Sequence, residues 1–197
     1  MNVTPNNQLS LIGDPTLLEE FPVPPDEAPS QRNHFSLLAA YIRHASSGDR
    51  AALARLQPEA LQPHQLAALA RALLKAGLSP EQWHADTWPR WALIAHGMAL
   101  AGHDGKQKLG EQLAQAKVSE SRVTKLLTSR GDAFTQLLPR VLRLLVSKGV
   151  APNWRELGEL VLKESSNQRD DKEKAEAIRL RIAGPYFSAL ARSASKS

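Results

Sequence analysis

The 197-residue chain contains no cysteine, which excludes disulfides and thiolate metal sites. Aromatic residues make up only 5% of it. Alanine and leucine dominate instead, a balance that favours helices over strands. No apolar run approaches the roughly 20 residues of a membrane span. No Lys or Arg precedes Arg32, so the N-terminus lacks the basic start of a secretory signal peptide. These absences predict a protein of a reducing, cytoplasmic setting with no membrane partner. The apolar fraction of 42% is enough for a folded core.

The residue groupings of catalysis are also missing. The six histidines, at 34, 44, 64, 84, 96 and 103, are scattered, and no pair has the i, i+4 spacing with an intervening Glu of a helical zinc hydrolase. His96 and His103 lie seven apart and can share a helix face, but no third ligand type is near. The short run GHDG is not followed by the Lys-Ser/Thr of a phosphate-cradling loop. Carboxylates cluster only at 170–176, interleaved with Arg and Lys, as in ion pairs on a solvated helix. The expectation is a protein that is not an enzyme and needs neither metal nor cofactor. The four tryptophans, at 83, 88, 91 and 154, sit among apolar residues. Core packing is the reading for Trp91 and Trp154.

Charge divides the chain unevenly. Residues 1–30 hold Asp14, Glu19, Glu20, Asp26 and Glu27 but no Lys or Arg, leaving 25 bases against 15 acids in the remainder. This first stretch, with its run FPVPPDEAP, reads as an extended acidic segment; Leu17, Leu18 and Phe21 are its candidates for packing on the body. From His34 the pattern is helical, and no alternating strand or fixed-period repeat occurs. The expected architecture is all-α, a compact bundle of about eight helices over 31–197, with sub-bundles at about 31–105 and 106–197. In HFSLLAAYIRHASSGD, residues Phe35, Leu38, Tyr41 and Ile42 recur at helical spacing, with Gly48 as stop and Asp49 opening DRAALARL. In PHQLAALARALLKAG, Leu66, Leu69, Ala70 and Leu73 share a side and Gly77 ends the helix. TWPRWALIAHGMALAGH is apolar on most faces and predicts a central helix.

The stretch KLGEQLAQAKVSESRVTKLLTSRG, residues 108–131, carries the functional signal. It reads as helix, tight turn, helix, the second opening on Ser119 as N-cap and closing at Gly131 as the residue past the C-cap. A DNA-reading helix-turn-helix has a similar outline. Here, however, the turn holds Lys117 where Gly is usual, and it is one residue short, which puts groove-reading geometry in doubt. In the second helix Val123, Leu126 and Leu127 form the inner face, and Arg122, Lys125 and Ser129 the outer one. In the next, Leu137, Leu138, Val141 and Leu145 face in, and Gln136, Arg140, Arg143 and Ser147 face out. Long cations and hydroxyls suit phosphate oxygens better than base edges. Lys106 and Lys108 extend the surface, and Arg130 lies at a helix C-terminus where its charge also serves the dipole.

In order and spacing, GDRAALARL, WALIAHGMALAGH, LGEQLAQAKVSESRVTKLLTSRGD, LLPRVLRLLVSKGVAPNW and RELGELVL resemble the CasB family, the small subunit of the type I-E CRISPR surveillance complex, Cascade. The resemblance runs from about Arg32 to about Glu164; residues 1–30 fall outside it, and the C-terminal helix is longer and more charged than the family's pattern. It implies a non-catalytic all-α subunit of antiviral defence. The partners it implies are the backbone and large subunits, the guide RNA, a second copy of the chain, and target DNA, whose displaced strand the basic surface supports. By position, the implied strand contacts are Lys106, Lys108, Arg122, Lys125, Arg130, Arg140 and Arg143, with Arg50 and Arg55 in second rank. A stand-alone helical DNA-binding regulator is the alternative reading of the same residues. A third is a structural adaptor whose basic face meets an acidic protein.

Overall fold

The computed structural model describes residues 31–195 apart from 165 and 167. The acidic segment 1–30, with Leu17, Leu18 and Phe21, lies outside the described residues. Nine α-helices follow one another, and no strand occurs among the described residues: α1 (Gln31–His44), α2 (Ser47–Ala54), α3 (Pro63–Lys75), α4 (Thr87–Ala101), α5 (Leu109–Gln115), α6 (Glu120–Thr128), α7 (Gly131–Ser147), α8 (Trp154–Glu164) and α9 (Arg169–Ala194), with one 3₁₀ turn at Pro80–Gln82.

Helix α4 occupies the centre, as its all-round apolar sequence predicts. Trp91 through Ala95, Gly97 and Met98 are buried, and the helix packs against α1, α2, α7 and α8. Its approach to α8 depends on Gly97. A Cβ there would overlap the fully buried Trp154 ring and the Leu142 side chain. The Trp154 indole N–H is satisfied by the Gly102 carbonyl at 2.8 Å, so this buried tryptophan leaves no orphan polar group. Trp91 stacks between Phe35 and Trp83, with ring centroids 5.6 and 5.7 Å apart, and Trp88 meets Trp83 edge-on. Trp83 and Trp88 thus form the half-buried margin of the cluster that Trp91 anchors.

Two helix boundaries and one buried face depart from the expected ones. Helix α2 begins at Ser47, so Gly48 and Asp49 lie inside its first turn; the Ser46 hydroxyl accepts the Asp49 N–H at 3.1 Å and caps the helix earlier than the glycine suggested. The buried stripe of α3 is Gln65, Ala68, Leu69, Ala72 and Leu73, leaving Leu66 40% exposed. Gln65 turns inward because its amide is satisfied at both ends: it accepts the Gln62 N–H at 3.2 Å and donates to the Arg55 carbonyl at 2.8 Å. Gly77 does end the helix, at φ 74°. Helix α6 stops at Thr128, not at Gly131, because the backbone turns extended at Ser129 (φ −69°, ψ 147°), whose hydroxyl bonds the Lys125 carbonyl at 2.6 Å. Gly131 instead opens α7, at φ 53°.

Candidate nucleic-acid interface

The turn between α5 and α6 closes in the manner expected of a glycine, without one. Lys117 takes the left-handed conformation, φ 54°. Its N–H bonds the Ala114 carbonyl at 2.9 Å, and the Val118 N–H bonds the Leu113 carbonyl at 3.0 Å. That pair of bonds with a buried Val118 over Leu113 is a Schellman closure. The Tyr186 hydroxyl, from α9, donates to the Val118 carbonyl at 2.6 Å and clamps the turn from beneath. Ser119 occupies the N-cap position of α6, yet its hydroxyl meets Ser121 at 3.3 Å instead of capping a backbone N–H.

From that fixed turn α6 runs beside α7. Val123, Leu126 and Leu127 are buried below, as are Leu138, Val141, Leu142 and Leu145 of α7. Arg122 and Lys125 of α6 and Arg140 of α7, all from the predicted outer faces, line a groove of about 480 Å³ between the two helices together with Leu137, Val141 and Leu144 of α7; Leu137, expected to face in, is only half-buried there. None of these three cations has an ion-pair partner among the described residues. Three uncompensated charges around one concavity form a local positive field, strongest for a ligand that brings its own negative charge. Arg143 stands on the next turn of α7, exposed, on the flank that faces α4. There its charge adds to burial in holding the His96 imidazole below its usual pKa, although His96 also bonds the Leu53 and Ala54 backbone.

The other predicted cations are placed elsewhere. Arg130 lies at the α6–α7 joint. It donates to the Leu127 and Ser129 carbonyls at 2.9 and 3.0 Å and pairs with Glu176 of α9 at 2.7 Å. Its charge is therefore engaged at the end of α6, as its position predicts. Lys106 and Lys108 sit in the loop before α5, exposed, beside the start of α8, where Glu156 accepts the Leu109 N–H at 2.7 Å. Arg50 and Arg55 belong to α2, Arg55 as its C-cap, and neither lines the groove. Among the described residues no group of three or more His, Asp or Glu is arranged to hold a metal.

Sequence reasoning missed what anchors the basic pair of helices. Arg179 and Glu164 are ion-paired with side chains only 4% and 5% exposed. Arg179 also reaches Glu176 at 3.0 Å and the Ser129 carbonyl at 3.3 Å, and Glu164 accepts the Gly131 N–H at 2.8 Å. The joint between α6 and α7 is thus tied to α8 and α9 by buried charge. The signal was present: Arg179 falls on the same helical stripe as the buried Ala175, Ile178, Ile182 and Tyr186. Nearby, hydrogen bonds from Lys163 and Ser166 hold the Asp171 carboxyl below its ordinary range. Two further exposed cations, Arg43 and Arg155, were also missed. Both lie near His103, whose pKa is lowered first by burial and then by their charges.

No helix among the described residues is long and apolar enough to cross a membrane. No curated protein and no solved structure matches the chain. The family model of CRISPR-associated protein Cse2 does match, over residues 49–187. It begins later than the resemblance read from the sequence and ends later, taking in both basic helices, the buried ion pair and α9 as far as Phe187. With that much of its length matched, the chain belongs to the Cse2 family, the small subunits of the type I-E Cascade complex.

Proposed function

We propose that this Cascade subunit is non-catalytic and carries the displaced, non-target DNA strand when the guide RNA pairs with its target. The observation that supports this reading is the α6–α7 groove, where Arg122, Lys125 and Arg140 meet without carboxylate partners among the described residues. Such a surface holds a sugar–phosphate chain through charge with little regard to sequence, leaving sequence to base pairing. The apolar walls, Leu137, Val141 and Leu144, give bases a surface to lie on, but among the described residues no aromatic side chain lines the groove to stack with them. In the assembled complex the chain sits against the backbone subunits that hold the guide RNA, next to a second copy of itself, with the large subunit as a further partner.

The test is titration of single-stranded DNA at several salt concentrations against wild type and the variant R122A/K125A/R140A/R143A. Each phosphate neutralised contributes a slope of about −0.7 in log K against log salt, so the variant flattens the slope by up to roughly 3 units. The loss is similar for unrelated sequences. Helical content is retained, because exposed changes away from buried contacts stay within about 0.5 kcal/mol. A folded variant with the wild-type slope refutes the reading. Loss confined to one duplex sequence supports a stand-alone regulator instead.

A further inference from the structure

Seven arginines among the described residues, at 71, 90, 130, 169, 179, 181 and 192, are each paired with a carboxylate. Arg43 and Arg155 have no such pair among those residues, and the fold brings them to one place. Arg155, in the first turn of α8, donates to the Ser36 hydroxyl of α1 at 3.2 Å. Arg43 lies seven residues after Ser36, two turns along the same face of α1 and about 10 Å away. Gly105 lies against both His103 and Arg155. A Cβ on it would stand 3.2 Å from His103 Nε2 and 3.5 Å from Arg155 Nε, so the missing side chain leaves room for both. The His103 ring is fixed from behind, its Nδ1 accepting the Trp154 N–H at 3.1 Å. Lys106 follows immediately in the chain. The nearby Asp104 carboxylate accepts the Lys106 backbone N–H at 2.9 Å and makes no ion pair with either arginine.

The location relates this cluster to the groove. From Arg140, α7 carries Arg143 and runs on for eight residues, about 12 Å, to the exposed Lys148. The connection that follows is bonded to the loop before α5: Asp104 N–H to the Pro152 carbonyl at 3.2 Å, and the Asn153 side chain to the Gln107 carbonyl at 2.9 Å. It then delivers Arg155.

We infer that Arg43, Arg155 and Lys106, around Gly105, form a second phosphate-binding site, which a single strand leaving the α6–α7 groove reaches along α7. A guanidinium fixed by one neutral hydroxyl keeps most of its donors for phosphate oxygens, and its planar fork accepts them in pairs. The inference rests on the reading of the groove as a strand site, and it adds a direction and a minimum length to the strand.

The experiment uses the full chain and R43A/R155A, with single strands of about 6 and about 30 nucleotides titrated at several salt concentrations. The short strand occupies the groove alone and binds both proteins equally. The long strand loses affinity several-fold at low salt, and its slope flattens by up to about 1.4, two phosphates at about 0.7 each. R43K/R155K, which keeps the charges, retains most of the slope. An unchanged slope for the long strand in a folded R43A/R155A protein overturns the inference, as does an equal loss for both lengths. The groove variant R122A/K125A/R140A/R143A, titrated in parallel, separates the two readings. If it binds the long strand as wild type while R43A/R155A loses the long strand alone, the groove reading fails and the second site stands by itself.

Discussion

Helices α5 and α6 are neighbours in sequence and similar in length, yet they are held in opposite ways. Helix α5 interlocks with α9. Leu109, Gly110, Gln112 and Leu113 are buried, and at Gly110 the backbones come so close that a Cβ would overlap the Ile182 carbonyl and the Tyr186 amide. Helix α6 touches its neighbours α7 and α9 at only a few points. It buries three side chains and is secured at its far end by the Arg179–Glu164 network. Apolar interlocking fixes a backbone everywhere along the contact, because a packed interior tolerates little displacement. A charge network fixes one point and leaves the rest of the helix exposed, which is where the cations of the groove stand. The platform and the basic surface are therefore built from different physics.

The largest expected effect comes from breaking that point of attachment. Arg179→Met removes the cation and leaves Glu164 buried without its partner, a change that costs about 3–5 kcal/mol. Glu164→Leu combined with Arg179→Met removes both charges and recovers much of the loss, since a buried pair replaced by apolar groups is often near neutral. Chemical denaturation of the three proteins measures both quantities. Equal destabilisation of the single and double variants would mean that Arg179 acts through its packing and its bond to the Ser129 carbonyl, not through Glu164.

A smaller loss, of about 1–3 kcal/mol, is expected from Gly110→Ala, which forces the α5 and α9 backbones apart. The two variants differ in where the damage spreads. Amide exchange should rise along α5 and the middle of α9 in Gly110→Ala, and at the 129–131 joint in Arg179→Met. The same exchange pattern in both variants would remove the distinction between interlock and tether.

Much of this contrast was legible in advance. The apolar stripes of α6 and α7 follow a 3.6-residue period and placed their cations outward correctly, because for an amphipathic helix the buried face determines the exposed one. The central position of α4 followed from an apolar sequence on most faces. Periodicity does not say which elements a residue meets from elsewhere in the chain. Arg130 and Arg140 look alike in the sequence, but a carboxylate from α9, 46 residues away, engages the first, and none among the described residues engages the second. Arg43 and Arg155 are brought together only by the packing of α1 against α8. The cap at Ser46 moved the start of α2, and the inward turn of Gln65 moved the buried face of α3, each through one or two hydrogen bonds, a scale at which sequence pattern is least informative.

The smallest effect concerns the turn that joins the two helices. Lys117 holds a left-handed conformation that costs a non-glycine residue roughly 1–2 kcal/mol. Lys117→Gly relieves that strain but gives the unfolded chain more freedom, which offsets about 0.4–1 kcal/mol of the gain. The net expectation is stabilisation of less than about 1 kcal/mol, a rise in melting temperature of a few degrees at most for a chain of this size. Lys117→Val keeps the backbone demand and adds β-branching, so it should melt lower than wild type. The two substitutions remove the same charge, so a shift in opposite directions isolates the backbone from the electrostatics. Both variants should keep the wild-type salt slope for single-stranded DNA, since Lys117 does not line the groove. If Lys117→Gly instead flattens that slope while melting higher, the lysine on the turn belongs to the strand surface, and its strained backbone is the cost of placing a cation there.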